Sequence, residues 1–183
     1  MKYSNKRDHM KKIVILNGSN SNKLNTAGLI RAFTEGAESA GNEVTKFDVT
    51  HMNIHGCLGC MKCLNIPKNA PNICVIDDDM KQIYDAVMEA DVIVFASPVY
   101  WWGPTGQLKI AVDRLNAVTC HAGLEFFSRK STALLMTFKG GGMQAALSWY
   151  SVFRLIVGCR DLGAVIGIGR SKENEAYHLG ASI

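Results

Sequence analysis

Ile13-Val14-Ile15-Leu16, followed by Gly18-Ser19-Asn20-Ser21-Asn22-Lys23-Leu24-Asn25-Thr26, is the stretch on which the fold turns. A short, continuous apolar run rich in β-branched residues reads as a strand buried on both faces, not as a strand with one wet face. The loop behind it is made of hydroxyls and amides. It leads into a helix from Thr26 to about Ala40, with Leu29, Ile30, Phe33 and Ala37 on one side and Gly41 as its stop signal. The pattern recurs at Val92-Ile93-Val94-Phe95-Ala96, which runs into Ser97-Pro98-Val99-Tyr100-Trp101-Trp102-Gly103.

Outward from these two units, apolar runs and helical patterns alternate along the chain. The first strand covers about Lys12–Leu16, and Val44–Val49 forms a second. An irregular stretch over 50–75 follows. Asp77-Asp78-Asp79 then opens a helix, with Asp79 as its cap and Met80, Ile83, Tyr84, Val87 and Met88 as its stripe. Val92–Ala96 is the third strand. Thr105 caps a helix that carries Leu108, Ala111, Val112 and Leu115 and ends near Val118. Thr132–Thr137 is the fourth strand, and Lys139-Gly140-Gly141-Gly142 comes after it. A helix over 143–157 leads to a last strand near Gly163–Ile168, and the polar tail beyond Arg170 is expected to be partly ordered. The expected architecture is α/β: a three-layer sandwich around a five-stranded parallel sheet. Ligands of such sheets bind beyond the carboxyl ends of the strands, near the switch point of strand order. The loops at 18–26, 97–103 and 138–142 therefore converge on one edge.

The chain has 183 residues, 48% of them hydrophobic, enough for one domain with a full core. Charged residues make up 20%, and a net charge of +4 is too mild and scattered to argue for nucleic acid. There is no internal repeat and no apolar run long enough to span a membrane. Residues 1–11 are polar and basic, and His9-Met10 before Lys11 resembles a cloning junction. They read as an N-terminal extension or cloning remnant, with Met10 as the native start and 12–183 as the single domain. Six cysteines without an export signal favour free thiols or a metal centre over structural disulfides, which points to the cytoplasm.

A helix N-terminus offers unpaired N–H groups and a positive dipole end, so it can hold phosphate without Lys or Arg. Gly18 would let the chain turn out of its strand, and Ser19, Ser21, Asn25 and Thr26 would add donors. Asn25 or Thr26 could instead cap the helix. GxxxxGK[ST] is absent, and so is GxGxxG after the first strand, which sets aside the P-loop and weakens a dinucleotide site. In the second loop Pro98 stiffens the backbone and pushes Ser97 toward an extended conformation. Three large rings, Tyr100-Trp101-Trp102, cannot all bury inward from an irregular loop. They either face a ligand or cover the core or a subunit interface. A phosphate loop beside an aromatic loop describes a pocket for a mononucleotide with an aromatic head, flavin mononucleotide (FMN) foremost.

Gly18-Ser19 with Asn25-Thr26, then Ser97-Pro98-Val99-Tyr100, then Gly106-Gln107-Leu108-Lys109 with Asp113-Arg114, resembles the NADPH-dependent FMN reductase and iron–sulfur flavoprotein group. The likeness runs from Ile13 to Ile168. It implies a flavodoxin-like fold, FMN phosphate at Ser19, Ser21, Asn25 and Thr26, and ring contacts from Pro98, Val99, Tyr100, Trp101, Trp102 and Gly103. Ser21 departs from the arginine that many relatives carry. The loop with Lys139 and Gly140 is expected to approach the flavin, while Lys109, Asp113 and Arg114 read as a helix surface with ion pairs. The implied activity is NAD(P)H-dependent reduction, passing electrons through FMN to a quinone, flavin, metal ion or other small acceptor, in a homo-dimer or homo-tetramer. The chemistry belongs to the cofactor, so no catalytic acid or base is nominated. One alternative is a non-enzymatic electron carrier working with ferredoxin-like redox proteins. Another is a thiol or zinc sensor that has lost its flavin.

Cys57-Leu58-Gly59-Cys60-Met61-Lys62-Cys63 is a C-x2-C-x2-C run, with Cys74 further on. Thiolates at this spacing can grip a cube, and four complete a [4Fe–4S] site. The resemblance supports such a cluster, although the fourth cysteine in that group usually comes sooner. His51 and His55 just upstream keep zinc open. Free thiols beside a neighbouring subunit are the third reading. Cys120 and His121 read as surface or interface residues, and Cys159 as near the core.

Overall fold

The computed structural model describes residues 10–21, 23, 25–123 and 125–183. The proposed N-terminal extension, apart from its last two residues, lies outside them, as do Asn22 and Leu24 of the first loop. Strands β1 (Lys12–Asn17), β2 (Glu43–Asp48), β3 (Val92–Pro98), β4 (Ser131–Thr137) and β5 (Arg160–Gly167) form one sheet in the order β2-β1-β3-β4-β5. Every pairing is parallel. The helices are α1 (Asn25–Ser39), α2 (Met80–Glu89), α3 (Gly106–Arg114), α4 (Asn116–Ala122), α5 (Glu125–Ser128), α6 (Met143–Val157) and α7 (Glu173–Ala181).

The period of two along each strand divides the core between the two faces of the sheet. Val14, Leu16, Ile93, Phe95, Leu134 and Met136 point to one face and pack under α2 to α6. Ile13, Ile15, Val92, Val94, Ala96, Ala133 and Leu135 point to the other, where Leu29, Ile30, Phe33 and Ala37 of α1 and Ala176 of α7 cover them. Central strands covered on both faces have no polar side to show, which is why β1, β3 and β4 read as unbroken apolar runs.

One expectation is sharpened and two need correcting. The tail beyond Arg170, expected to be partly ordered, is helical over Glu173–Ala181 and lies tightly on α1. A Cβ on Gly36 would come within 2.1 Å of the Tyr177 carbonyl oxygen, and one on Gly180 within 2.1 Å of the Phe33 carbonyl oxygen. The two backbones therefore touch through paired glycines. The helix capped by Thr105 ends at Arg114, and the chain restarts as α4. β5 starts at Arg160; its ladder with β4 slips by one residue between Thr132 and Ala133, where Gly163 takes φ 124°. Among the described residues, no helix is long and apolar enough to cross a membrane.

The stretch after Val49 contains one short 3₁₀ turn, Lys62–Asn65, and lies on the α2–α4 side of the sheet. On this topology the chain moves outward from β1 to β2 and then crosses back to β3, so the crevice between the β1 and β3 exits is the switch point.

Candidate functional site

At that crevice lies a cleft of about 690 Å³, and three strand exits build it. Ser19, Asn20 and Ser21 come from the exit of β1, with Asn25 and Thr26 at the start of α1. Pro98, Val99 and Tyr100 come from β3, and Thr137, Phe138 and Lys139 from β4. Ile168 closes it from the end of β5. The loops predicted to converge do so.

Gly18 is required for a reason other than the expected turn. Its Cβ would lie 2.4 Å from Thr105 Oγ1 and 2.7 Å from Leu108 Cβ, and its φ is not in the left-handed region. Gly18 N–H donates to the Ala96 carbonyl (2.8 Å), and Thr105 Oγ1 donates to the Gly18 carbonyl (2.9 Å). Thr105 also caps α3, its Oγ1 accepting from Leu108 N–H, while its own N–H donates to Ser97 Oγ (3.0 Å). The β1 exit, the β3 exit and the start of α3 thus share one buried joint.

Asn17 extends this fastening: its Oδ1 accepts from Ser19 N–H (2.9 Å) and its Nδ2 donates to Asp48 Oδ1 (2.7 Å). Across the cleft, the Thr26 and Thr137 hydroxyls meet at 2.6 Å, which locks the first turn of α1 to the end of β4. Thr26 lies inside α1 and so does not cap it. The N-terminus of α1 opens on the cleft with hydroxyl and amide side chains around it. Among the described residues Lys139 is the cation that lines the cleft, and no Asp, Glu or His does. That combination suits an anion.

The aromatic loop takes an unexpected form. Tyr100 and Gly103 exchange both backbone hydrogen bonds (2.9 and 3.1 Å), and Trp101 and Trp102 between them have φ 46° and 62°. Positive φ at both central residues is the mirror-image turn usually built from Asn-Gly. Trp101 is 88% exposed, and its ring meets that of Trp102 edge-on at 5.4 Å. Trp102 leans toward Gly142 and Val99: a Cβ on Gly142 would sit 3.1 Å from Trp102 Cδ1 and 3.3 Å from Val99 Cγ1. Of the residues expected to contact a ring, Pro98, Val99 and Tyr100 line the cleft. Trp101, Trp102 and Gly103 form the turn beyond it, and Gly140 lies past Lys139. As individual site residues, sequence reasoning missed Asn20, Thr137, Phe138 and Ile168. Their common signal is position, at a strand end or within three residues past one.

The cysteine segment forms a second, smaller feature. Cys57, Cys60, Cys63 and Cys74 line one concavity of about 50 Å³ together with Val75, Ile76, Arg114 and Asn116. Burial pushes the Cys63 thiol up to about 11, helped by hydrogen bonding with the Cys120 thiol and by the nearby Cys74. Cys120 is therefore a neighbour of the cysteine run and not an unrelated surface residue. Among the described residues, no three His, Cys, Asp or Glu side chains stand together as a metal site. His55 turns its Nδ1 toward Asp78 Oδ2 (3.5 Å).

Lys109 and Asp113 do form an exposed ion pair. Arg114, expected beside them, is buried with its guanidinium on Asp78 (Nη1–Oδ2 2.7 Å, Nη2–Oδ1 3.1 Å). Asp78 is accordingly not a plain helix-start charge. Burial drives its carboxyl up, but Arg114 and the His55 and Met80 N–H groups hold it below its ordinary value. Asp79 stands at the N-cap position as expected but makes no side-chain capping bond: its carboxylate accepts from Asn53 N–H (2.7 Å), and Asp78 Oδ1 takes Met80 N–H (3.2 Å).

The model of the family described as NADPH-dependent FMN reductase matches residues 11–173. An iron-sulfur flavoprotein of Archaeoglobus fulgidus is 36% identical over 106 residues, 58% of this chain and 46% of that protein. One of Methanocaldococcus jannaschii is 31% identical over 133 residues, 69% of this chain and 65% of that protein. The chain thus spans about half to two thirds of these two relatives. Among solved structures, the NAD(P)H:quinone oxidoreductase of Methanothermobacter marburgensis superposes with TM-score 0.70 at 19% identity, covering 95% of this chain and 97% of that one. A flavodoxin from the domain Archaea gives 0.58 at 14% identity, covering 94% and 95%. At such identities the likeness is one of fold, and the fold is flavodoxin-like.

Proposed function

Because the chain belongs to the NADPH-dependent FMN reductase family, we propose that it is an FMN-dependent oxidoreductase whose flavin lies in the cleft between the exits of β1, β3 and β4. The observation that carries this is the opening of the α1 N-terminus into a 690 Å³ cleft lined by hydroxyls, amides and one lysine. That volume is within the range of pockets that enclose small ligands. Ser19, Ser21, Asn25 and Thr26, with the first N–H groups of α1, hold the phosphate. Pro98, Val99 and Tyr100 flank the ring, Trp101, Trp102 and Gly103 set its access, and the loop of Lys139 and Gly140 closes over it. FMN bound there would supply the redox chemistry, hydride acceptance from NAD(P)H and electron delivery to a quinone, flavin, metal ion or other small acceptor. The protein's part is to bind, orient and exclude water, and among the described residues no carboxylate or imidazole lines the cleft.

A second redox centre belongs to this reading. The relatives are named iron-sulfur flavoproteins, and a set of four thiols around one concavity has the donor chemistry of a [4Fe–4S] cluster. Cys57, Cys60, Cys63 and Cys74 would hold it. With a cluster present, exchange with a ferredoxin-like protein becomes an alternative to direct reduction by NAD(P)H. The same reading takes residues 12–183 as one FMN-binding domain. It has the protein act in the cytoplasm as a homo-dimer or homo-tetramer, away from membranes and nucleic acid.

An anaerobic visible spectrum with iron, sulfide and zinc analysis tests both centres, and NADH and NADPH are then added in turn. Flavin bands that bleach promptly with either nucleotide are expected. A protein that stays colourless after FMN is added overturns the flavin reading, and bleaching only by a reduced partner protein selects the carrier.

A further inference from the structure

The cysteine segment is an irregular stretch with little regular structure of its own, and one side chain fastens both of its ends. Arg114 has its side chain 1% exposed and uses all five of its N–H donors. Besides the two bonds to Asp78, Nε donates to Tyr84 Oη (3.1 Å). Nη1 donates to the His55 carbonyl (2.8 Å), two residues before Cys57. Nη2 reaches Cys74 Sγ (3.5 Å), the last of the four thiols. A guanidinium is a planar fork with fixed donor directions, so these contacts set the distance between the first and last ligands of the segment. The cation is buried with its counter-ion and so is little screened by solvent.

We propose that Arg114 is the positioning residue of the iron–sulfur centre, holding Cys74 and the approach to Cys57 and raising the centre's reduction potential through its hydrogen bond to the Cys74 sulfur. This rests on the cluster reading given above. Hydrogen bonds to ligand sulfur and local charge are among the levers by which a protein sets such potentials. A cationic donor favours the state with one more electron. The reaction is the transfer of one electron from a reductant, dithionite in the test, with no bond made or broken.

α3 gives the arrangement a further consequence. Its first turn is gripped at Thr105, in the joint that carries the Gly18 carbonyl and Ser97, and its last residue is Arg114. The chain rises roughly 13.5 Å between them at about 1.5 Å per residue. One rigid element thus fixes the cysteine segment relative to the cleft.

The test uses the full chain, reconstituted anaerobically with ferrous iron and sulfide, and follows the centre by electron paramagnetic resonance during a potential titration. At a fixed potential, the ratio of reduced to oxidised centre in Arg114→Lys is expected to fall at least tenfold, which is about 59 mV for one electron. Lysine keeps the charge for Asp78 but cannot span Asp78, His55 and Cys74 together. Lys109→Gln, which removes an exposed cation from the same helix, is expected to leave the ratio unchanged. Wild-type protein labelled with ¹⁵N-arginine is expected to show a nitrogen coupling at the reduced centre, and this measurement decides alone should Arg114→Lys fail to fold. An absent coupling, or an unshifted Arg114→Lys centre, overturns the inference and leaves the cluster standing. A wild-type chain that takes up no iron and sulfide overturns both, while the flavin bands judge the FMN reading separately.

Discussion

Trp101 and Trp102 occupy backbone positions that bulky residues avoid, with φ 46° and 62°, and neither ring is buried. Left-handed conformations at such residues cost of order 1–3 kcal/mol each and persist where function or the surroundings demand them. Trp101, 88% exposed, has little packing to lose. Trp101→Gly should therefore raise stability by about 1 kcal/mol once the extra entropy of glycine in the unfolded chain is subtracted, as read by the denaturant midpoint. Trp102, beside Val99 and Gly142, should behave differently: Trp102→Ala is expected to weaken FMN retention or change acceptor choice, and an unaltered dissociation constant with unaltered turnover would count against its role. Gly18→Ala is predicted to cost about 1–3 kcal/mol by overpacking, because Thr105 Oγ1 and Leu108 Cβ leave no space, and to weaken FMN binding with it. The oddity of three adjacent rings at a strand exit was legible in the sequence. The handedness of the turn that carries them was not, since no Asn or Gly marks it. The need for Gly18 was legible too, but its cause lies in Thr105 and Leu108, far away in the chain.

Helices that bury an apolar stripe announce themselves, and α7 does not have one. Its buried residues are Ala176 and Gly180, and it meets α1 backbone to backbone where Gly36 and Gly180 cross. A stripe of large side chains at spacing 3–4 is the signal of a core helix, so a helix docked through small residues reads as a polar tail. Gly36→Ala tests this: the added methyl would meet the Tyr177 carbonyl oxygen and the Ala181 nitrogen, both backbone atoms. A loss of about 1–3 kcal/mol in chemical denaturation is expected, with amide hydrogen exchange in 173–181 accelerated far more than in β1 or β3. Uniform acceleration in all elements would argue that α7 is integral to the fold nucleus instead of docked on it. Arg114 was obscured by the same logic. The Gln107–Arg114 pattern places it next to an exposed Lys109–Asp113 pair, and only the long-range meeting with Asp78 and Tyr84 turns it inward. By contrast β1, β3 and β4 were plain, because a strand covered on both faces carries an unbroken apolar centre, Ile13–Leu16, Val92–Ala96 and Ala133–Met136, and keeps its polar residues to its ends.

Stability as a function of pH is set by the whole molecule, and the side of the sheet under α5 and α6 supplies its alkaline limit. Cys159 is buried against the Phe127 carbonyl, to which its thiol donates at 3.3 Å, and burial pushes it up to about 11. Its ordinary value is 9.0. The folded state therefore keeps the proton over a range in which the unfolded chain has lost it. The stability this gives is fully present below about pH 9 and is lost as pH rises through 11. Lys130, buried nearby with its ammonium on the Met88 and Ala90 carbonyls, acts in the opposite sense. Burial lowers its value, so discharging it as pH rises relieves a cost. The raw pH curve mixes the two, and the groups act on one another, so the difference between variants reports the thiol together with its influence on Lys130. Cys159→Val keeps a similar volume and removes the thiol, so the drop in unfolding free energy between pH 8.5 and 10.5 should be smaller in the variant than in the wild type, with Lys130 present in both. Equal drops would mean that the thiol opens to water well before the fold is lost, and that this layer of the core is looser than its packing implies.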